Sequence, residues 1–216
     1  MLKQYIIISI LTGILLSAGS VSGVDTINQT PSATKIHQQK PTDLRIWGDE
    51  ASSTSIYVFS SLTCPHCAVF HAEVFPVLKK TFIDSGQAKL IYVDMPYESR
   101  SMTGTLLARC IEQDLYEPFM DTLFKNQRIW AYHDKPRTLM EEYARVLGAD
   151  VEKLNACVTN EDLRRTVTQQ RNNLSTLYKV TGMPTLIVIK EGTSHKITGT
   201  DTEVIITEIK SIMGEK

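Results

Sequence analysis

Cys64-Pro65-His66-Cys67 is a run whose residue types and spacing suggest chemistry at once. Two cysteines separated by two residues can bring their sulfurs within disulfide reach when the segment opens a helix. The first of them then lies at the helix N-terminus, where unpaired N–H groups and the helix dipole favour an anion. A thiol at that position is expected to be acidic and nucleophilic at neutral pH. Cys67, one turn further in, is expected to be more buried and to stay protonated, as suits the resolving partner of a mixed disulfide. Pro65 has no N–H to lose at the opening of a helix. His66 can direct a hydrogen bond or partial positive charge at the Cys64 sulfur, which would favour the dithiol over the disulfide. Two plainer readings exist. The pair could form a purely structural disulfide, or it could begin a zinc site with His71 as a third donor. Against zinc, His71 would point back along the same helix, and no second ligand pair follows nearby.

The pattern around the motif supplies elements to position it. Ser55 to Phe59 (SIYVF) is a short β-rich run ending at Ser60-Ser61, so the motif stands where a strand hands over to a helix. Val69, Phe70, Val74, Leu78 and Phe82 continue at helical spacing, with Pro76 expected to kink the helix. Ala88 to Asp94 reads as a second strand. Residues 97–179 then carry almost no strand signal. Their apolar residues recur as helical faces: Leu106, Leu107, Cys110 and Ile111; then Phe119, Leu123 and Trp130; then Leu139, Tyr143, Val146 and Leu147, closed by Gly148. Asp150 can cap a helix carrying Leu154 and Cys157, and Thr159 or Asn160 a longer one carrying Leu163, Val167, Leu174 and Leu177. Strands return at Thr185 to Ile189 and at 194–198, joined by a hairpin at Glu191-Gly192, before a last helix with Ile205, Ile209 and Ile212. The order β-α-β, helical block, β-β-α implies an α/β fold with helices inserted in one connection.

Upstream, residues 1–20 have the order of a secretory signal peptide: Lys3, an uncharged run from Tyr5 to Leu16, then small residues. The twelve-residue run is shorter than the ~20 residues that span a bilayer as a helix. Residues 21–45 are polar, interrupted by Pro31 and Pro41, and read as a tether, leaving 46–216 for the folded domain. Export places the chain where disulfides persist. Across all 216 residues, 23 basic side chains meet 24 acidic ones, which removes the concentrated positive charge a nucleic-acid binder needs.

The segment from Leu62 to His71 (LTCPHCAVFH) resembles the active-site stretch of DsbA-like thiol–disulfide oxidoreductases, especially the alphaproteobacterial branch. Thr181-Gly182-Met183-Pro184-Thr185 resembles the loop that carries the cis-proline of thioredoxin folds. The resemblance covers roughly 46–213 and implies a thioredoxin fold with an inserted helical domain. It implies that Cys64 and Cys67 are catalytic, tuned by Pro65 and His66, and that Met183, Pro184 and Thr185 face them and dock substrate backbone. It also implies a second, non-catalytic disulfide between Cys110 and Cys157; the residues alone agree only loosely, since two buried free thiols would fit them too. Closing that long loop would contribute about 3–4 kcal/mol by chain entropy. Two positions depart from the pattern. The buried glutamate that enteric DsbA carries six residues before its first cysteine is Val58 here, and the residue before the proline is Met183 rather than valine or threonine.

The resemblance further implies a periplasmic oxidase that needs no cofactor or metal beyond its redox-active disulfide. Its partners would be reduced, unfolded exported proteins and a DsbB-like membrane protein that reoxidises it. A disulfide isomerase or reductase of the ScsC-like type is the alternative, but the short polar tether favours a monomer over the oligomer an isomerase uses. His133 and His195, without motifs around them, are expected at the surface, and Trp130 and Tyr132 as packing groups of the helical block. Asn28 and Asn173 stand in weak glycosylation sequons.

Overall fold

Strict alternation of apolar side chains builds the centre of the molecule. In the computed structural model, which describes residues 25–26 and 44–214, Ile56 and Val58 of strand β3 (Ser55–Ser60) face one side of a sheet while Tyr57 and Phe59 face the other. Strands β4 (Lys89–Asp94) and β5 (Thr185–Lys190) repeat the pattern with Leu90 and Tyr92 against Ile91 and Val93, and Leu186 and Val188 against Ile187. Strands buried on both faces need cover on both, and helices supply it.

The six strands lie in the order β1-β6-β5-β3-β4-β2. β3 and β4 are parallel; the other pairings are antiparallel. β1 (Asp25–Thr26) pairs with β6 (Thr193–Thr198) at one edge, and β2 (Arg45–Trp47) with β4 at the other. Asp25–Thr26, within the segment read as a tether, thus joins the sheet, as does the last residue of that segment, Arg45. The signal expected at 1–20, Asn28 and the remainder of the tether to residue 43 lie outside the described residues. The β5–β6 hairpin turns at Glu191 (φ 49°) and Gly192 (φ 78°), the paired positive angles of a twist-matched two-residue loop.

Helix α1 runs over 65–83 and opens on Pro65. Its expected kink takes a different form. The helix widens into a π-type turn at Phe70–Val74, where the Phe75 N–H reaches back to the Phe70 carbonyl, and Pro76 enters a fresh α-helical turn without having to supply an N–H. A second π-type turn follows at Lys79–Ile83.

Between β4 and β5 the chain inserts α2 (Ser99–Cys110), α3 (Gln113–Lys125), α4 (Gln127–Trp130), α5 (Pro136–Val146), α6 (Val151–Val158) and α7 (Glu161–Leu177). The first five pack with α1 and the terminal helix α8 (Thr202–Met213) on the sheet face that holds Val58, while Leu174 of α7 and Tyr178 cover the other face. Asp150 and Asn160 cap α6 and α7 as expected. Two expectations fail on this surface. Val146 is 78% exposed, because the buried stripe of α5 runs through Met140 and Ala144, and Tyr132 is 79% exposed rather than packed. Trp130 is fully buried, its indole N–H donating to the Leu123 carbonyl at 2.7 Å.

The insertion is tied to the sheet by buried charge. Arg109 Nε meets Asp94 Oδ2 at 2.6 Å, with both side chains nearly inaccessible. Arg45 donates to the carbonyls of Ala108, Arg109 and Ile111 and stacks over Tyr116, so one guanidinium satisfies the C-terminal end of α2. Cys110 and Cys157 are joined by a disulfide across α2 and α6, 47 residues apart in sequence.

Candidate active site

The central strand β3 ends at Ser60, three residues turn at its C-terminal end, and Cys64 becomes the N-terminal cap of α1 in extended conformation (φ −80°, ψ 120°). Cys64 is half-buried and Cys67 fully buried, and both are thiols. The Cys64 thiol is lowered to about 6, first by the hydrogen bond from Cys67, with the Cys67 and His66 backbone N–H groups adding to it against the cost of burial. The charge of His66 is the smallest of these influences, and its ring is exposed. Backbone and thiol therefore carry the acidification, as the helix N-terminus leads one to expect, and the imidazole adds least. Cys67 is pushed far upward because its proton is held toward Cys64 and its surroundings are apolar, although the Ser61 N–H donates to its sulfur at 3.5 Å. One half-buried acidic thiol beside one fully buried protonated thiol is the division of labour that disulfide exchange requires.

The second motif arrives from a distant part of the chain. The Met183–Pro184 peptide bond is cis, and the Cys64 thiol donates to the Met183 carbonyl at 3.8 Å. Met183 is half-buried, while Pro184 and Thr185 are buried. The Thr185 hydroxyl donates to the Gly182 carbonyl at 2.8 Å, so it shapes the loop and presents no group outward. Val58 lies in the core between Tyr92 and Leu186 on the neighbouring strands, and no carboxylate occupies that strand position.

The loop before Cys64 is gripped residue by residue from the helical insertion, a set of contacts that no local pattern announces. The Ser61 and Ser101 hydroxyls meet at 2.9 Å. Leu62 packs onto Gly104, where an added Cβ would come within 2.8 Å of its Cδ1. The Thr63 hydroxyl donates to Glu98 Oε1 at 2.9 Å, and Glu98 itself caps α2 through the N–H groups of Arg100 and Ser101. Gln127 Nε2 donates both to the Leu62 carbonyl at 2.8 Å and to the Cys64 carbonyl at 2.9 Å.

His71 takes no part with the cysteines. Its ring is sandwiched between Phe75 and Phe124, and Nε2–H donates to Asp121 at 2.6 Å, which locks α1 to α3. Among the described residues no three or more His, Cys, Asp or Glu side chains converge to hold a metal. His133 is exposed, His195 lies half-buried in β6, and Asn173 is exposed on α7.

Comparison with known proteins agrees with this geometry. The family model described as thioredoxin matches residues 39–208. A Rickettsia typhi protein named as a candidate protein-disulfide oxidoreductase is 26% identical over 176 residues, covering 74% of this chain and 65% of its own. Disulfide bond formation protein D of Bacillus subtilis is 24% identical, covering 58% of this chain and 54% of its own. The aligned stretch thus spans about half to two thirds of these relatives' length. Among solved structures, alpha-DsbA1 of Wolbachia pipientis superposes with a TM-score of 0.71 at 21% identity, covering 80% of this chain and 92% of that one. Oxidised BdbD of Bacillus subtilis superposes at 0.66 and 21% identity, covering 81% and 95%.

Proposed function

The chain belongs to the thioredoxin family, with helices inserted between two strands of the fold, and from that membership we propose that it is an exported thiol–disulfide oxidoreductase. In its oxidised form Cys64 and Cys67 share a disulfide. A substrate thiolate attacks the Cys64 sulfur; the substrate–Cys64 bond forms as the Cys64–Cys67 bond breaks, and Cys67 leaves and takes up a proton. The substrate's second thiolate then attacks the substrate sulfur of the mixed disulfide and releases Cys64 as thiolate. Two electrons pass from the substrate dithiol to the pair, and the substrate keeps the new disulfide. A DsbB-like membrane partner takes those electrons and restores the Cys64–Cys67 bond. Reduced, unfolded proteins in the periplasm are the substrates, docking their backbone beside Met183 and Pro184, and the chain works as a monomer.

The observation that carries this reading is the Cys64 thiol, lowered to about 6 at a helix N-terminus and facing the Met183 carbonyl. A stable thiolate is a good leaving group, which drives the second step and makes the disulfide oxidising. The test is the equilibrium of the pair against glutathione, together with oxidation of a reduced, unfolded protein. A strongly oxidising equilibrium with stoichiometric disulfide transfer is expected. A reducing equilibrium would turn the assignment to a reductase or isomerase.

A further inference from the structure

Four consecutive loop residues touch the helical insertion, but one contact differs in kind. Gln127 is buried, 6% exposed, and comes from 63 and 65 residues away to place a single amide nitrogen between two carbonyls. Those carbonyls belong to Leu62 and Cys64, on either side of Thr63. The Cys64 carbonyl also accepts the first helical hydrogen bond of α1, from the Ala68 N–H at 3.2 Å. The Leu62 carbonyl belongs to a residue only 1% exposed, so losing its partner would leave a buried acceptor unpaired and press the loop to move. Where the Cys64 sulfur sits relative to the His66 and Cys67 N–H groups depends on the backbone of that loop, because those groups are fixed by the helix.

We infer that Gln127 is a positioning residue for Cys64: its amide clamps the carbonyls flanking Thr63 and so holds the nucleophile's sulfur over the first turn of α1. The inference rests on the oxidoreductase reading and adds a device to it. The inserted helices set the reactivity of the pair through a neutral side chain that never meets the sulfur. Nothing on α1 or β3 could do the same, since the clamp must come from outside the strand–helix connection whose geometry it fixes.

The test is a pH titration of the Cys64 thiolate by its ultraviolet absorbance in the reduced protein, for the native chain, Gln127→Met and Gln127→Glu. Methionine keeps the length and loses both donors. Glutamate keeps the shape, offers at most one donor, and brings negative charge near the thiolate. The midpoint is expected to rise by about one pH unit in Gln127→Met and by more in Gln127→Glu. The glutathione equilibrium should move toward the reducing side in the same order. Native-like midpoints in both variants, even with lowered melting temperatures, would reduce Gln127 to a stabilising contact and overturn the inference. If Gln127→Met does not fold, Gln127→Ala, equally neutral and without donors, decides by the same midpoint, because the charge of Gln127→Glu raises it unaided; failure of both neutral variants to unfold cooperatively would mark a purely structural role. A native protein whose own midpoint lies in the ordinary thiol range would instead defeat the oxidoreductase reading.

Discussion

The two cysteine pairs sit at opposite ends of helices. Cys64 caps the N-terminus of α1, whereas Cys110 is the last residue of α2 and Cys157 the second-last of α6. A helix N-terminus offers unpaired N–H groups and positive potential to a thiolate; a C-terminus offers carbonyls and negative potential. Arg45 does bring a positive charge to the end of α2, but its donors are committed to the carbonyls of Ala108, Arg109 and Ile111. A sulfur at such an end is a poor thiolate and therefore a poor leaving group, so its disulfide resists exchange. The same two atoms in the same kind of bond thus acquire different work from the end of the helix that holds them. Burial does not separate the pairs, for Cys64, Cys110 and Cys157 are all half-buried.

The sharpest way to break this comparison is to remove one sulfur from each pair. Cys64→Ser should bring disulfide transfer to the uncatalysed background, and Cys67→Ser should accumulate mixed disulfides at Cys64 when given disulfide-bonded substrate, the Cys64 thiolate displacing one substrate sulfur with no Cys67 thiol left to resolve the new bond. The double replacement Cys110→Ala/Cys157→Ala should leave transfer within a few-fold of native. If the second pair were also an exchange centre, transfer would fall in both. Next in size is the gap in potential. In glutathione buffers scanned from oxidising to reducing, the Cys64–Cys67 bond should open first, and Cys110–Cys157 should persist to potentials about 100 mV or more lower, which corresponds to roughly 5 kcal/mol. Alkylation and mass mapping of each thiol across the scan would show it. A common midpoint would end the distinction. Removing the second bridge should then cost about 3–4 kcal/mol in denaturant unfolding, the loop-closure value for its 47-residue separation.

A smaller effect follows from pH. In the reduced protein, alkylation of Cys64 should be half-maximal near pH 6 and level off above neutrality, as its lowered thiol value requires. Stability of the dithiol form carries the same signature. The folded state holds the Cys64 thiolate more readily than the unfolded chain, so this contribution is present above the unfolded value of about 8.5 and is lost as pH falls through about 6. For Cys67 the sign reverses: its raised value makes the folded state bind the proton more tightly, so stability falls again above about pH 8.5. Denaturant midpoints of the reduced protein should therefore peak near pH 8, and Cys64→Ser should remove the rising limb and weaken the falling one, since Cys64 is the first cause of the raised Cys67 value.

What could be read from the sequence and what could not divide along a physical line. The strands announce themselves because residues such as Ile56 and Val58 alternate with Tyr57 and Phe59, and the caps at Asp150 and Asn160 need only their next three residues. The thiols and Met183-Pro184 were legible as motifs. Local pattern fails where the cause is tertiary. Gln127 in Asn126-Gln127-Arg128 carries no signal of a clamp, since its partners are 63 and 65 residues away. The helix N-terminus foretells an acidic Cys64, but the hydrogen bond from Cys67, the first cause of the lowering, and the small share of His66 emerge only from the folded geometry. Val146 and Tyr132, both expected to pack, lie on faces that no element among the described residues covers.

Gly104 joins the two regions, and substituting it tests how far apart they are mechanically. It lies within α2, the helix that ends in Cys110, and its missing side chain admits Leu62 from the loop before Cys64. Alanine there would gain about 1 kcal/mol of helix propensity. Its Cβ would also meet Leu62 Cδ1 at 2.8 Å and Met140 Sδ at 3.3 Å, an overpacking that costs about 1–3 kcal/mol. Net destabilisation of about 1 kcal/mol in denaturant unfolding is the expected outcome for Gly104→Ala. The relief open to the protein is a shift of Leu62, whose carbonyl Gln127 holds, so the Cys64 alkylation midpoint should move upward by a few tenths of a unit while the Cys110–Cys157 potential stays put. A change in the second pair with none in the first would mean that α2 yields rather than the loop. The grip of the insertion on the nucleophile would then be looser than its contacts imply.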